Sequence, residues 1–396
     1  MRNRIKKILP KRILAILKQI RYLWIVVLFH LFHLLPIYKT RVVISNVWGF
    51  GDNAKYVAEE LAKRKRLVKN LEIIFITNYP GLAYAAKKIT VLKTNSVKAI
   101  LALATARVWV DNNRKESYIR KREGQYYIQT WHGGISLKKI EKDYKDKLGA
   151  DYISNAKRDS GMTDLYVSNS SFCTNMYRNS FWYNGEILEC GSPRNDILIN
   201  KADQVSSGIR NRLGVKEDVR IAIYAPTYRE GDNNTGPYQL DFKKLLLALE
   251  GKFGGSWVIA VRLHPLVSGQ SGFINYNQQI INASHYRDIY ELLSVGEVLI
   301  TDYSNIMFEF SFMKKPVFLY AADVEDYEKE RGFYFDYKTL PYKKARTRDE
   351  LIININYFDY TVYQAEVNAF LNKLTIYETG NASCSVVDRI MKTMGS

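Results

Sequence analysis

The sequence predicts an α/β protein built from two Rossmann-like domains that face a cleft. Three observations carry that prediction. Short β-rich apolar runs alternate with stretches of helical period, which implies parallel sheets covered by helices on both faces. The alternation breaks near residues 200–218 and then starts again. At 396 residues the chain is long for one hydrophobic core and comfortable for two.

The first series begins after residue 40. "RVVIS", "LEIIFIT", "ARVWVD" and "QYYIQT" read as buried strands, with "NAKYVAEELAKR" and "SVKAILALA" as helices between them. "TDLYVSNS" and "GEILECG" follow. "NKADQVSSGIRNRLGVKED" is the expected hinge connection, and the second series runs through "VRIAIYAPT", "SWVIAVRLHP", "EVLITDYS" and "KPVFLYA". The late helical stretch "YQAEVNAFLNKL" is a candidate to pack back toward the first domain. The expected division is a membrane-associating helical segment at 1–38, an acceptor domain at 39–204, a donor domain at 205–375 and a C-terminal tail at 376–396.

Charge is unevenly placed. The formal net charge is +18, and the residues before Asp52 hold ten Lys/Arg and no Asp or Glu. The apolar run Leu23–Ile37 is shorter than the ~20 residues of a spanning helix and carries His30 and His33. No small-residue cleavage site follows, as a secretory signal would require. A basic amphipathic helix leading into an apolar one is the pattern of a segment lying in an anionic membrane surface. Nucleic acid is not the expected partner, because the basic residues interleave with Ile and Leu and no zinc-finger or RNP signature is present. A composition 47% hydrophobic with 29 tyrosines excludes a disordered chain. The three cysteines, Cys173, Cys190 and Cys384, lack metal-ligand spacing, and their odd number points to a reducing compartment. The expected location is the cytoplasmic side of the cell membrane, peripherally bound.

Ligands of open parallel sheets bind at the carboxyl ends of strands. Five stretches fall at such places. In "QYYIQTWHGGIS", Trp131 and His132 leave a strand, Gly133 and Gly134 let backbone N–H groups approach a ligand, and "LKKIEKDYKDKL" is expected to begin a helix whose N-terminus favours an anion. In "IAIYAPTYRE", Pro226, Thr227 and Arg229 end a strand. "VIAVRLHP" places Arg262 and His264 at the next strand end. "EVLITDYSNIMFEF" puts Asp302, Tyr303 and Ser304 between strand and helix, and "ECGSPRNDIL" holds Arg194 near the domain boundary. Each has a plain packing or capping explanation when read alone. Together they bring histidines, arginines and helix starts to one cleft, a combination suited to a diphosphate. No Walker A motif, G-x-G-x-x-G or Gly-x-Ser-x-Gly elbow occurs. "DNN" at 111–113 is a poor metal-binding carboxylate pair, so no metal is expected.

In order along the chain, "GDNAKYVAEEL", "QTWHG…LKKI", "GSPRND", "YAPTYR", "RLHP" and "ITDYSNIMFEF…KKPVFLY…DYEKERGFYFDY" resemble the CDP-glycerol glycerophosphotransferase family of teichoic acid and polyol-phosphate polymer synthesis. The resemblance implies a GT-B-like fold and, as substrate rather than cofactor, CDP-glycerol. It implies an undecaprenyl-diphosphate-linked acceptor, with His132 as base. It further implies that Arg194, Pro226, Thr227, Arg262, His264, Ser304 and Asn305 lie near the donor nucleotide and diphosphate. Here "HGGIS" is one residue longer than the family's His-Gly-Thr-Pro, Asn305 replaces a second serine, and Glu309 replaces an aspartate. The implied reaction is attack of an acceptor hydroxyl on the glycerol-bearing phosphate with loss of CMP, in teichoic acid or capsule-type polymer synthesis. CDP-ribitol as donor, a nucleotide-sugar glycosyltransferase of the same fold, and a non-enzymatic surface-binding module are the competing readings.

Overall fold

The computed structural model describes residues 11–82, 88–200, 203–227, 240–264 and 274–395. Seven parallel strands form the first sheet: β1 (Tyr38–Ser45), β2 (Glu72–Thr77), β3 (Thr90–Lys93), β4 (Ala106–Asp111), β5 (Tyr126–Gln129), β6 (Leu165–Ser168) and β7 (Glu186–Glu189). Their spatial order is β3-β2-β1-β4-β5-β6-β7. Six parallel strands form the second: β8 (Arg220–Tyr224), β9 (Trp257–Val261), β10 (Ile280–Asn282), β11 (Val298–Thr301), β12 (Val317–Tyr320) and β13 (Lys343–Ala345), in the order β10-β9-β8-β11-β12-β13. The strand order reverses between β1 and β4 in one sheet and between β8 and β11 in the other. Those reversals open the crevices where α/β sheets take ligands.

The two chain termini cover opposite faces of the first sheet. The Lys11–Phe32 helix packs on the Val97–Thr105 helix and inserts Ile25 and Phe29 beside Val43, Ile74 and Trp109. On the other face, Val386, Val387 and Ile390 of the Ala382–Gly395 helix join Val42, Ile44 and the Asp52–Lys63 helix. Residues 376–396 are therefore mostly a core helix of the first domain, not a tail. It is this helix that packs on the first sheet. The stretch expected to pack back lies in the Tyr360–Leu374 helix, whose Phe370 stacks on Phe308 and whose Tyr363 hydroxyl donates to the Lys315 carbonyl at 2.7 Å in the second domain, while the Leu374 carbonyl at its end accepts from Ser171 Oγ of the first at 2.7 Å.

Another departure lies beside the site. Residues 137–148 do not form an α-helix. Leu137–Ile140 runs extended, with Lys138 bridged antiparallel to Phe333, Lys139 N–H donating to Gly332 O at 3.0 Å and Tyr334 N–H to Leu137 O at 2.8 Å. A 3-10 turn, Glu141–Lys147, follows and is broken at Tyr144. Backbone donors that would have built a first helical turn are satisfied by the other domain. Glu141, at φ 56°, also holds a left-handed conformation that excludes a continuous helix.

Candidate active site

β5 delivers the first wall of the cleft. After Gln129 the chain turns sharply, with Trp131 at φ 53° and its N–H donating to the Gln129 Oε1 at 2.9 Å. The buried Asn53 side chain holds the turn by donating to the carbonyls of Thr130 (3.2 Å) and Trp131 (2.9 Å). His132 emerges open to the cleft, its ring tilted over Trp131 at 4.3 Å. Its Nδ1 lies 2.8 Å from the Asn112 carbonyl. A carbonyl only accepts, so Nδ1 carries the proton and Nε2 keeps its lone pair. The "DNN" stretch thus orients the histidine, while Asp111 is ion-paired to Lys115. Loss of hydration lowers the His132 pKa, with nearby Arg194 pulling the same way and the Asn112 bond and Asp52 opposing. The net shift favours the neutral ring.

The two glycines differ. A Cβ on Gly134 would fall 2.5 Å from Asn169 Nδ2, so packing demands that glycine. A Cβ on Gly133 would make only ordinary contacts, 3.7 Å to Trp131 and 3.8 Å to Asn305.

The second wall comes from the loops after β8, β9 and β11. Pro226, Thr227, Arg262, His264, Ser304, Asn305 and Glu309 line one cleft of about 530 Å³ together with His132 and Arg194. The imidazoles of His132 and His264 therefore face the same space from opposite domains. Arg262 commits one guanidinium nitrogen to the carbonyls of Ala283 (3.4 Å) and Tyr286, and its Nη2 and Nε have no protein partner among the described residues. Burial and the Arg262 charge lower the His264 pKa, so this ring is neutral near pH 7 in the unliganded cleft rather than a fixed cation. Arg229 falls outside the described residues.

Three of the expected ligand groups, Asp302, Arg194 and Glu309, are engaged by protein partners. Asp302, 1% exposed, accepts from Thr227 N–H at 2.9 Å, Thr227 Oγ1 at 2.5 Å and Tyr303 N–H at 2.5 Å, locking the β8 and β11 loops together. Arg194, 2% exposed, donates to the His132 carbonyl (2.7 Å) and Asp52 (2.9 Å) with one nitrogen and to Glu309 with the other. Glu309 also accepts from the Tyr290 hydroxyl at 2.7 Å, and the guanidinium lies 4.8 Å above that ring. Arg194 and Glu309 form a strut across the domain boundary, because buried charges persist only when paired. Asn305 accepts from Leu137 N–H at 3.1 Å through its Oδ1 and lines the cleft. The Ile306–Ser311 helix behind it is too short to present an anion site of the kind expected at Ser304.

Sequence reasoning missed Asn53, Asn112, Lys138 and Tyr290 as site builders. Asn53 and Lys138 lay in motifs already singled out, "GDNAKY" and "LKKI". Asn112 acts through its carbonyl, which leaves no trace in residue identity.

These features define a two-domain α/β protein whose cleft has a histidine on one wall and polar strand ends on the other. Residues 27–392 match the family model of CDP-glycerol:poly(glycerophosphate) glycerophosphotransferases. The chain belongs to that family. It is 32% identical over 375 residues to a teichoic acid poly(glycerol phosphate) polymerase of Staphylococcus epidermidis, covering 89% of this chain and 51% of that protein. It is 28% identical to the Bacillus spizizenii polymerase, covering 92% of this chain and 95% of the other, and 34% identical to a teichoic acid glycerol-phosphate transferase of Staphylococcus aureus (75% and 79%). Thus the chain spans about half the length of the first of these relatives and nearly all of the second. Among solved structures, a variant of the wall teichoic acid polymerase TagF superposes with a TM-score of 0.83 at 29% identity, covering 97% of this chain and 98% of that one. A TagF variant soaked with CDPG superposes at 0.79, with 31% identity and coverages of 91% and 90%.

Proposed function

We propose that this chain transfers glycerol phosphate from CDP-glycerol to a hydroxyl of a lipid-linked polyol-phosphate or glycan acceptor, releasing CMP. The acceptor oxygen forms a bond to the glycerol-bearing phosphorus, the bond from that phosphorus to the CMP oxygen breaks, and His132 Nε2 takes the hydroxyl proton. The observation that carries this reading is the His132 ring, proton fixed on Nδ1 by Asn112 and Nε2 unblocked in a cleft whose far wall holds Arg262 and His264. Arg262 and a His264 that gains its proton beside the anionic donor would balance charge on the departing CMP. Pro226 and Thr227 pack beside the nucleotide, and Ser304 and Asn305 beside the diphosphate. Identities to glycerol-phosphate enzymes span 26–34% and those to ribitol-phosphate polymerases 27–28%; the three relatives at 32–34% all act on glycerol phosphate by name, which supports glycerol over ribitol. Incubation with CDP-glycerol, CDP-ribitol and UDP-sugars in the presence of membrane lipids, read by mass analysis, tests the assignment. Glycerol-phosphate product and CMP are expected; product from ribitol or sugar donors alone would refute it.

The N-terminal helix supports work at a membrane surface. Ile13, Ile16, Leu17, Ile20, Trp24, Val27 and Leu31 are all at least 42% exposed and recur at spacings of three and four, forming one apolar stripe. Arg12, Lys18 and Arg21 lie among them. By length and hydropathy Arg12–Phe32 is also able to cross a bilayer. Because Ile25 and Phe29 anchor it to the first domain, we place the helix flat on the anionic cytoplasmic leaflet.

A further inference from the structure

Beside the donor cleft lies a second pocket of about 330 Å³, and His132, Lys138 and Asn305 line both. The candidate base therefore stands in the partition between two cavities. Its outer walls are Lys139, Tyr144, Leu148 and Tyr152. Glu141 is the one carboxylate lining the pocket, and it is spent: 4% exposed, it accepts from Arg114 at 2.8 Å and from the Tyr152 hydroxyl at 2.5 Å. Of the two lysines on the lining, Lys138 lies over the Tyr327 ring at 5.1 Å and Lys139 is the exposed cation. The loop that carries them is fixed by Lys139 N–H on Gly332 O (3.0 Å) and Leu137 N–H on Asn305 (3.1 Å), so both domains must be in place to form it.

Gly133 supplies the second observation. Its φ lies outside the left-handed region and a Cβ there would meet nothing closer than 3.7 Å, so neither conformation nor packing calls for glycine. What the missing side chain leaves is open space at the junction, between His132 and Asn305.

We propose that this pocket is the acceptor subsite, taking the terminal polyol phosphate of the acceptor chain. Its phosphate sits at Lys139, and its free hydroxyl passes Gly133 to reach His132 Nε2. This rests on the reading that the enzyme transfers a polyol phosphate from a CDP-alcohol. The attacking oxygen then comes from this pocket, the phosphorus from the donor cleft, and the proton moves to the ring between them.

The test uses synthetic tri(glycerol phosphate) as acceptor and the full chain carrying Lys139→Glu or Gly133→Val. Lys139→Glu should raise the acceptor KM about fivefold or more while the CDP-glycerol KM stays within about twofold, and the gap should narrow at about 0.5 M salt. Gly133→Val should raise the acceptor KM about tenfold by filling the junction, with thermal melting and donor KM unchanged. Calorimetric binding of tri(glycerol phosphate) alone is the readout independent of turnover, and Lys139→Glu should weaken it likewise. Unchanged acceptor KM and binding in both variants, or a rise confined to the donor KM, would overturn the proposal. If the wild type binds tri(glycerol phosphate), loses it in Lys139→Glu, and yet makes no product from CDP-glycerol, the donor assignment falls and the pocket stands.

Discussion

The two walls of the cleft solve different problems. On the first, every group around His132 is tied down: the turn by Asn53 and Gln129, the ring by Asn112, and the carbonyl by Arg194. On the second, Arg262 keeps part of its fork open to the cleft. A proton acceptor has to be fixed in tautomer and direction before substrate arrives. Groups that meet a flexible diphosphate gain more from reach. The contrast supports the proposal of base chemistry on the first wall and donor binding on the second, and it is open to direct attack.

Largest in effect should be His132→Ala, with a loss of about 10²–10⁴ in kcat and little change in CDP-glycerol KM, as expected for a general base. CMP release measures it, with circular dichroism as the folding control. The pH profile sharpens the point. Because the cleft lowers the His132 pKa, the free base persists below the usual histidine value, and protonation removes it only at lower pH. The acid limb of kcat/KM should therefore lie below 6.5, the ordinary histidine pKa, and vanish in the variant. A limb at or above that value would transfer the role elsewhere.

Next comes the strut that joins the walls. Arg194→Met strands Asp52 and Glu309 without their cation, and removing one partner of a buried pair costs about 3–5 kcal/mol. A lowered urea midpoint checks this. Glu309→Asp tests geometry separately: the same charge on a shorter arm should cost kcat more than donor KM, since the strut acts on His132 through its carbonyl. If donor KM rises alone, Glu309 meets the substrate and is not a strut.

What could be read in the sequence follows the same division. Ten strands are legible as short β-rich runs, most of them buried. Of the four edge strands, β7 is legible in "GEILECG", whereas β3, β10 and β13, three or four residues long and mixed in exposure, leave no such run. Strand-end motifs located the cleft because parallel sheets put their carboxyl ends there whatever the loops do. Roles were harder. Arg194, Asp302 and Glu309 lie at the strand ends and helix start that line the cleft, yet each faces a protein partner, and only tertiary packing decides between ligand and neighbour. The expected helix at 137–148 failed for a related reason, since its donors pair with Gly332 and Asn305, 168 or more residues away.

A smaller effect is expected on the second wall. His264→Ala should reduce kcat/KM for CDP-glycerol about tenfold, the scale of one hydrogen bond to a charged group, chiefly through KM. His264→Gln, which keeps a donor, should recover part of the loss. Equal damage from both variants, confined to kcat, would instead make His264 a second proton-transfer group and blur the division between the walls.

The smallest effect tests how the walls are coupled. Glu378 sits on the crossover that carries the chain from the second domain back to the first, accepting from Ser192 N–H at 3.1 Å and from Asn195 Nδ2 at 2.6 Å. Loss of hydration pushes its pKa from 4.5 up to about 8 against those bonds. The folded state therefore holds this proton more tightly than the unfolded chain. The stabilisation is complete below pH 4.5 and is lost progressively as pH rises through about 8. Glu378→Gln, neutral throughout, should be more stable than the wild type above pH 8 by about 1–2 kcal/mol, a figure reduced for partial hydration. Parallel urea unfolding at pH 6 and pH 9 reads the difference. Identical pH slopes would mean that the carboxylate is charged in the fold and that Ser192 and Asn195 alone neutralise its cost, leaving the crossover insensitive to pH.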